Sequence, residues 1–206
     1  MTTVYLIRHS KPLKVNNALN KDILQIQNEK NCLSIEGEKI AQDKFKNEEF
    51  NNLDIIYSSN YVRAIQTAKY LAEKNNLEIN VFSELGERKI GVSSWDELPE
   101  KFELKQFLDE NYKIGDGENQ IEVIKRMKAA LKKILDDNKN KRIAVIGHAT
   151  AIAYYLKDLC DITYEEEKFK YSFNNKTLLH GFYDYCETLR LDFDEDNKII
   201  DINLIN

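Results

Sequence analysis

The sequence predicts an α/β fold, a three-layer α/β/α sandwich built on a mostly parallel sheet. Short β-branched apolar runs alternate with helix-length amphipathic stretches, the βαβα order of a sheet covered on both faces. A length of 206 residues with 42% hydrophobic composition suits one domain spanning 1–206 with a substantial core.

The elements follow in chain order. Thr3 to Ile7 is a compact β-branched strand that ends at Arg8-His9. Ser34 can cap a helix running to about Phe45, with Ile35, Ile40, Ala41 and Phe45 as a partial apolar face. Leu53 to Tyr57 is a second strand, after which Val62, Ile65, Ala68, Leu71 and Ala72 recur at helical spacing. Leu77 to Phe82 is a third strand. Residues 93–113 read as helical with no matching strand, so they are expected to form an insertion over the site, with Trp95 and Phe102 either roofing the pocket or serving as packing. Past the breakers Gly115-Asp116-Gly117, Ile121 to Leu135 mark a long helix. Arg142 to Ile146 is a fourth strand stopping at Gly147-His148, and Ile152 to Leu159 a further helix. Thr188 to Phe193 and Lys198 to Leu204 alternate polar with apolar residues and predict a C-terminal edge hairpin.

Composition narrows the function. Asp and Glu number 35 against 30 Lys and Arg, a net charge of -5 that argues against binding nucleic acid over a broad surface. No apolar run approaches the roughly 18 residues of a membrane span, and the start lacks a signal-peptide pattern, so a cytoplasmic protein is expected. Cys32, Cys160 and Cys186 lack metal or redox spacing and read as incidental thiols of a reducing compartment. No metal-ligand cluster is visible.

Against that background the rare residues are informative. The chain has six Arg and three His. Arg8-His9 lies just past strand one, Ser58 and Arg63 past strand two, Glu84 and Glu87 past strand three, and His148 past strand four. Ligands of open α/β sheets bind outside the carboxyl ends of the strands. Taken singly, each residue has a bland reading: a histidine after a strand is most often structural, and a charged run such as Glu84 to Lys89 is most often solvated. Together they set two His, two Arg and a carboxylate on one rim. That constellation suits phosphoryl transfer, which needs cations on the equatorial oxygens, an in-line nucleophile and an acid for the leaving group.

These segments resemble the histidine phosphatase superfamily, in its phosphoglycerate-mutase-like branch. The resemblance is carried by Val4 to Pro12, by Leu33-Ser34-Ile35-Glu36-Gly37, by Ser58 to Ala68, by Leu85 to Gly91, by Gly117 to Arg126 and by Ile143 to His148. It implies that His9 is the nucleophile that becomes phosphohistidine, that Arg8, Arg63 and His148 clamp the phosphoryl oxygens, and that Glu87 protonates the leaving group and then activates water. Ser10, Asn16 and Arg88 are further substrate-binding candidates, Arg88 with surface exposure as its alternative, and His180 is read as structural. Ser10 and Ala149 stand where the family usually has glycine after each histidine. The resemblance implies no cofactor and no metal. The function expected is a phosphomonoesterase acting on a small phosphorylated metabolite. The alternatives are a phosphoglycerate mutase or sugar bisphosphatase on the same fold, and then a non-catalytic phosphate-binding module. Partners expected are that substrate and neither nucleic acid nor membrane, with a homodimer left open.

Overall fold

The computed structural model describes residues 1–206 other than 18, 166, 167, 182 and 206. In chain order its elements are β1 (Thr2–Arg8), α1 (Leu24–Lys30), α2 (Ile35–Lys44), β2 (Ile55–Ser58), α3 (Val62–Asn75), β3 (Ile79–Val81), α4 (Phe102–Leu108), α5 (Gln120–Asp137), β4 (Arg142–Gly147), α6 (Ala149–Lys157), β5 (Asp161–Glu165), β6 (Lys168–Phe173), β7 (Lys176–His180), β8 (Thr188–Phe193) and β9 (Ile199–Ile205). Among the described residues, single-turn 3-10 helices lie at Glu48–Phe50, Ser83–Leu85 and Trp95–Glu97.

The two-residue period of the strands decides the layering. Val4 and Leu6 of β1, with Ile143 and Val145 of β4, face a core completed by Val123, Met127, Leu131 and Ile134 of α5 and Ile152 and Leu156 of α6. Tyr5, Ile7, Ala144 and Ile146 face the other way, onto Ala41 of α2 and Ala64, Ala68 and Leu71 of α3. Both faces of the central strands are buried, as a parallel sheet between helical layers requires.

The main sheet has the order β3-β2-β4-β1-β8-β9. The first four strands are mutually parallel, and β8 and β9 close one edge as an antiparallel hairpin. This is the mostly parallel sheet with a C-terminal hairpin that the sequence predicts. The long fifth helix is fixed at its start by a capping box, Asn119 bonding the Glu122 amide and Glu122 returning to the Asn119 amide. Among the described residues no helix is long and apolar enough to cross a membrane.

Several expectations change. Ile35 is 91% exposed and lies off the core face of α2. The final helix of the parallel unit starts at Ala149 rather than Ile152. A second, three-stranded antiparallel sheet β5-β6-β7 occupies a stretch without a predicted element. Its β6-β7 turn is Asn174-Asn175, both at positive φ, the conformation of a tight hairpin. Within 93–113, Phe102 is buried beneath Arg88, so it packs rather than roofing the pocket, and Trp95 is exposed. Helix α1, which was not predicted, lies against the site instead.

Candidate active site

Register brings the strand ends together. Arg8 of β1 pairs with Gly147 of β4, and Ser58 of β2 with Ile146. Adjacent strands lie about 4.8 Å apart, so the residues one step beyond β1 and β4 must meet. They do: the His9 and His148 rings are 4.9 Å apart between centroids. Both are buried, at 5% and 0% exposure.

Hydrogen-bond partners fix the state of each ring. Nδ1–H of His9 donates to the Ser10 carbonyl at 2.6 Å, which leaves Nε2 with its lone pair. That nitrogen accepts from Nε of Arg63 at 3.0 Å. Nδ1 of His148 accepts from Nη2 of Arg63 at 3.2 Å, while its Nε2–H donates to Oγ of Ser59 at 2.7 Å. Burial, then the Arg63 charge, holds both imidazoles well below their ordinary pKa, so both are neutral near pH 7.

Arg63 sits in the first turn of α3, 4% exposed, where a cation meets the positive end of the helix. Besides the two histidines, its Nη1 donates to the carbonyl of Asn28 in α1 at 2.5 Å, and its guanidinium lies 4.7 Å from the Tyr61 ring. Arg8 donates through Nη1 to the Tyr183 carbonyl and stacks 4.2 Å from the Tyr185 ring, and its buried Nε meets no partner among the described residues. Among the described residues no carboxylate lies within ion-pair distance of either arginine. A buried guanidinium bonded only to neutral acceptors is costly, and burial lowers the Arg63 pKa accordingly.

Glu87 reaches the same rim from the loop after β3. Its Oε1 accepts the Arg88 and Ala151 amides at 2.8 and 3.0 Å, and Oε2 accepts the Thr150 amide at 3.3 Å. The carboxylate is thus seated on the N-terminus of α6, the helix that begins directly after His148, where the free amides and the helix dipole favour an anion. Arg126 of α5 sets the preceding loop by donating to the Glu84 and Gly86 carbonyls at 2.5 and 3.1 Å, and it is itself held bidentately by Glu118. A cavity of about 300 Å³ opens beside Glu87, with Gln25, Asn60, Tyr61 and Lys89 among its walls. A second, of about 390 Å³, lies between α1 and residues 89–93.

The structure therefore brings Arg8, His9, Arg63 and His148 into one cluster, with Glu87 at its edge. Three other candidates lie elsewhere. Arg88 is neither exposed nor turned to the pocket: it is 2% exposed, paired bidentately with Glu103 at 2.8 Å and bonded to Gln106. Ser10 spends its hydroxyl on the Gly37 carbonyl at 2.6 Å and its amide on Thr67, so it ties α2 and α3 to the His9 loop. Gly37 permits that approach, because a Cβ there would lie 2.1 Å from the Lys11 carbonyl oxygen. Asn16 is exposed on the loop between β1 and α1. His180 is exposed on β7, away from the paired histidines. Ser59, Tyr61, Asn28 and Tyr185 were not singled out from sequence. Ser59 and Tyr61 lie inside the Ser58-to-Ala68 motif, which could have flagged them, whereas Asn28 contributes a backbone atom that no side-chain pattern reveals. Among the described residues no group of three His, Cys, Asp or Glu side chains is arranged to hold a metal ion.

The family model of the histidine phosphatase superfamily (branch 1) matches residues 4–193. Comparison with curated protein sequences gave no significant match. Among solved structures, a mycobacterial glucosyl-3-phosphoglycerate phosphatase is similar over 98% of this chain and 96% of its own, with TM-score 0.70 and 16% identity. A mutant phosphoserine phosphatase from Entamoeba histolytica, in complex with phosphoserine, is similar over 98% of this chain and 97% of its own, with TM-score 0.67 and 20% identity. Bacillus stearothermophilus YhfR is similar over 97% and 95%, with TM-score 0.68 and 20% identity.

Proposed function

The chain belongs to the histidine phosphatase superfamily, branch 1, and on that premise we propose that it hydrolyses a small phosphate monoester through a phosphohistidine at His9. One observation carries the reading: Arg63, buried and with no carboxylate in ion-pair contact among the described residues, joins two neutral histidines where a phosphoryl group would supply the paired charge.

The residues then act as follows. The phosphoryl group displaces the Asn28 carbonyl from Arg63 and takes its place between Arg63 and Arg8. As Arg63 turns its donors to the phosphoryl oxygens, Nε2 of neutral His9 gives up the hydrogen bond it accepts from Nε of Arg63, and its freed lone pair attacks phosphorus as the ester bond breaks. His148 takes up a proton from solvent at Nδ1 as the negative charge arrives, donates from it to the phosphoryl oxygens, and returns it to solvent when phosphate leaves. Glu87 lies on the wall of the 300 Å³ cavity, which holds the leaving group. It receives its proton from the arriving monoester and passes it to the leaving oxygen. In the second step Glu87 takes a proton from water as the water attacks the phosphohistidine. It then passes that proton to the departing phosphate, so phosphate and neutral His9 are released and Glu87 returns to its carboxylate. The arginines stabilise the charge of both transition states in a site shielded from water. The reading places the enzyme in the cytoplasm, in keeping with its three unpaired cysteines.

The test is phosphate release from a panel of phosphate monoesters, by wild type and by His9→Ala. The panel should show turnover that His9→Ala abolishes. Turnover surviving in that variant refutes the nucleophile.

A further inference from the structure

The segment that enters β8 holds the clamp arginine from behind. The Glu187 carbonyl accepts the Arg8 amide at 3.1 Å, the Tyr183 carbonyl accepts Nη1 of Arg8, and the Tyr183 hydroxyl donates to the Leu6 carbonyl at 2.8 Å. Between Tyr183 and Glu187 the chain makes a tight turn, closed by the Glu187 amide on the Asp184 carbonyl at 3.1 Å. Side chains brace it: Glu187 accepts the Asp184 amide at 2.6 Å, and Asp184 accepts the Tyr185 amide at 3.0 Å. Cys186 at the third position has φ 56°, a conformation usually left to glycine. The result of this costly turn is the placement of one ring. Tyr185 lies 4.2 Å from the Arg8 guanidinium, and its ring centroid is 6.4 Å from that of His9.

The hydrogen bonds of Arg8 give that ring a purpose. Nη1 is taken by Tyr183, whereas Nε is buried and unpartnered and Nη2 meets no protein acceptor among the described residues. Nε and Nη2 form the side edge of the guanidinium, whose two parallel N–H groups match two oxygens of a phosphoryl group. A guanidinium can swing about its last side-chain torsions, and the edge is useful only if its plane is fixed. Stacking on an aromatic face fixes a plane without consuming a donor.

We propose that Tyr185 is a positioning residue of the phosphoryl clamp, holding Arg8 so that its Nε/Nη2 edge is kept for the substrate. The proposal rests on the phosphohistidine reading above and adds to it a residue outside every motif that suggested that reading. Its signature is a defect in phosphoryl binding that does not depend on the leaving group.

The experiment measures inhibition by vanadate and calorimetric binding of inorganic phosphate, for wild type, Tyr185→Phe, Tyr185→Leu and Tyr185→Gln. A lost cation–aromatic contact predicts about 5- to 30-fold weaker binding in Tyr185→Leu and Tyr185→Gln, with Tyr185→Phe within about 2-fold of wild type. KM for aryl and alkyl esters should rise together. The two truncations differ in polarity, so a folding failure of one leaves the other to be read, and melting curves identify such a failure. Wild-type binding in a folded truncation overturns the proposal, as does Tyr185→Phe binding as weakly as Tyr185→Leu. His9→Ala, run in parallel, separates the two levels. If it keeps activity, the underlying reading fails; if it is inactive while Tyr185→Leu binds normally, only the role of Tyr185 fails.

Discussion

Two buried neutral histidines make the stability of this protein depend on pH in a calculable way. His9 and His148 are held well below the ordinary value of 6.5 by burial first and by Arg63 next. In the unfolded chain both titrate near 6.5, so below that pH the unfolded state binds protons that the folded state refuses, and stability falls as pH falls. Each histidine costs about 1.4 kcal/mol at pH 5.5 relative to pH 7.5, and the pair about 2.7 kcal/mol. Glu187 acts in the opposite sense, because burial raises its carboxyl and favours folding as pH falls. A His9→Gln/His148→Gln double variant keeps Glu187 and so isolates the histidine contribution. The assay is urea unfolding at pH 7.5 and 5.5, read as a change in midpoint at constant slope. Wild type should lose about 2.7 kcal/mol more than the double variant over this interval. An equal loss in both would refute the claim that the pocket holds its histidines neutral.

Three other outcomes follow from the geometry. Glu87→Gln should slow alkyl phosphates by about 100- to 10,000-fold and aryl phosphates far less, because only a poor leaving group needs the proton; equal slowing would remove Glu87 as the acid. Gly37→Ala places a Cβ 2.1 Å from the Lys11 carbonyl oxygen and should cost about 1–3 kcal/mol in thermal unfolding, together with activity, since Ser10 ties that contact to His9; an unchanged melt would contradict this. Vanadate should raise amide hydrogen exchange in residues 24–30, because an oxyanion on Arg63 displaces the Asn28 carbonyl that anchors α1; unchanged exchange would show that α1 stays in place.

What could be read from sequence, and what could not, divides on physical lines. The central strands were legible because β1 and β4 are buried on both faces, so their apolar runs are continuous. Arg8, His9, Arg63, Glu87 and His148 were legible because a parallel sheet gathers its strand ends whatever the intervening sequence. Helix α1 was not: it has seven residues, no side-chain N-cap bond, and a place fixed by remote contacts such as Gln25 to Tyr61 at 2.8 Å. The β5-β6-β7 sheet leans on an aromatic contact from Phe169 to Phe107 at 3.8 Å, across more than sixty residues, although Asn174-Asn175 was a turn signal within reach. Arg88 was misread because it stands beside Glu87 in a charged run, whereas its partners Glu103 and Gln106 come from α4. Tyr185 belongs to no motif; only the turn at Cys186 brings it to Arg8.

The central claim is that a phosphoryl group passes through His9, and trapping it is the most direct test. Rapid acid-free quenching during turnover of a phosphate monoester, followed by peptide mapping, should find an acid-labile, base-stable phosphoryl group on His9. His9→Ala should carry none. A phosphoryl group on any other residue, or turnover with no phosphoenzyme under single-turnover conditions, would contradict the account.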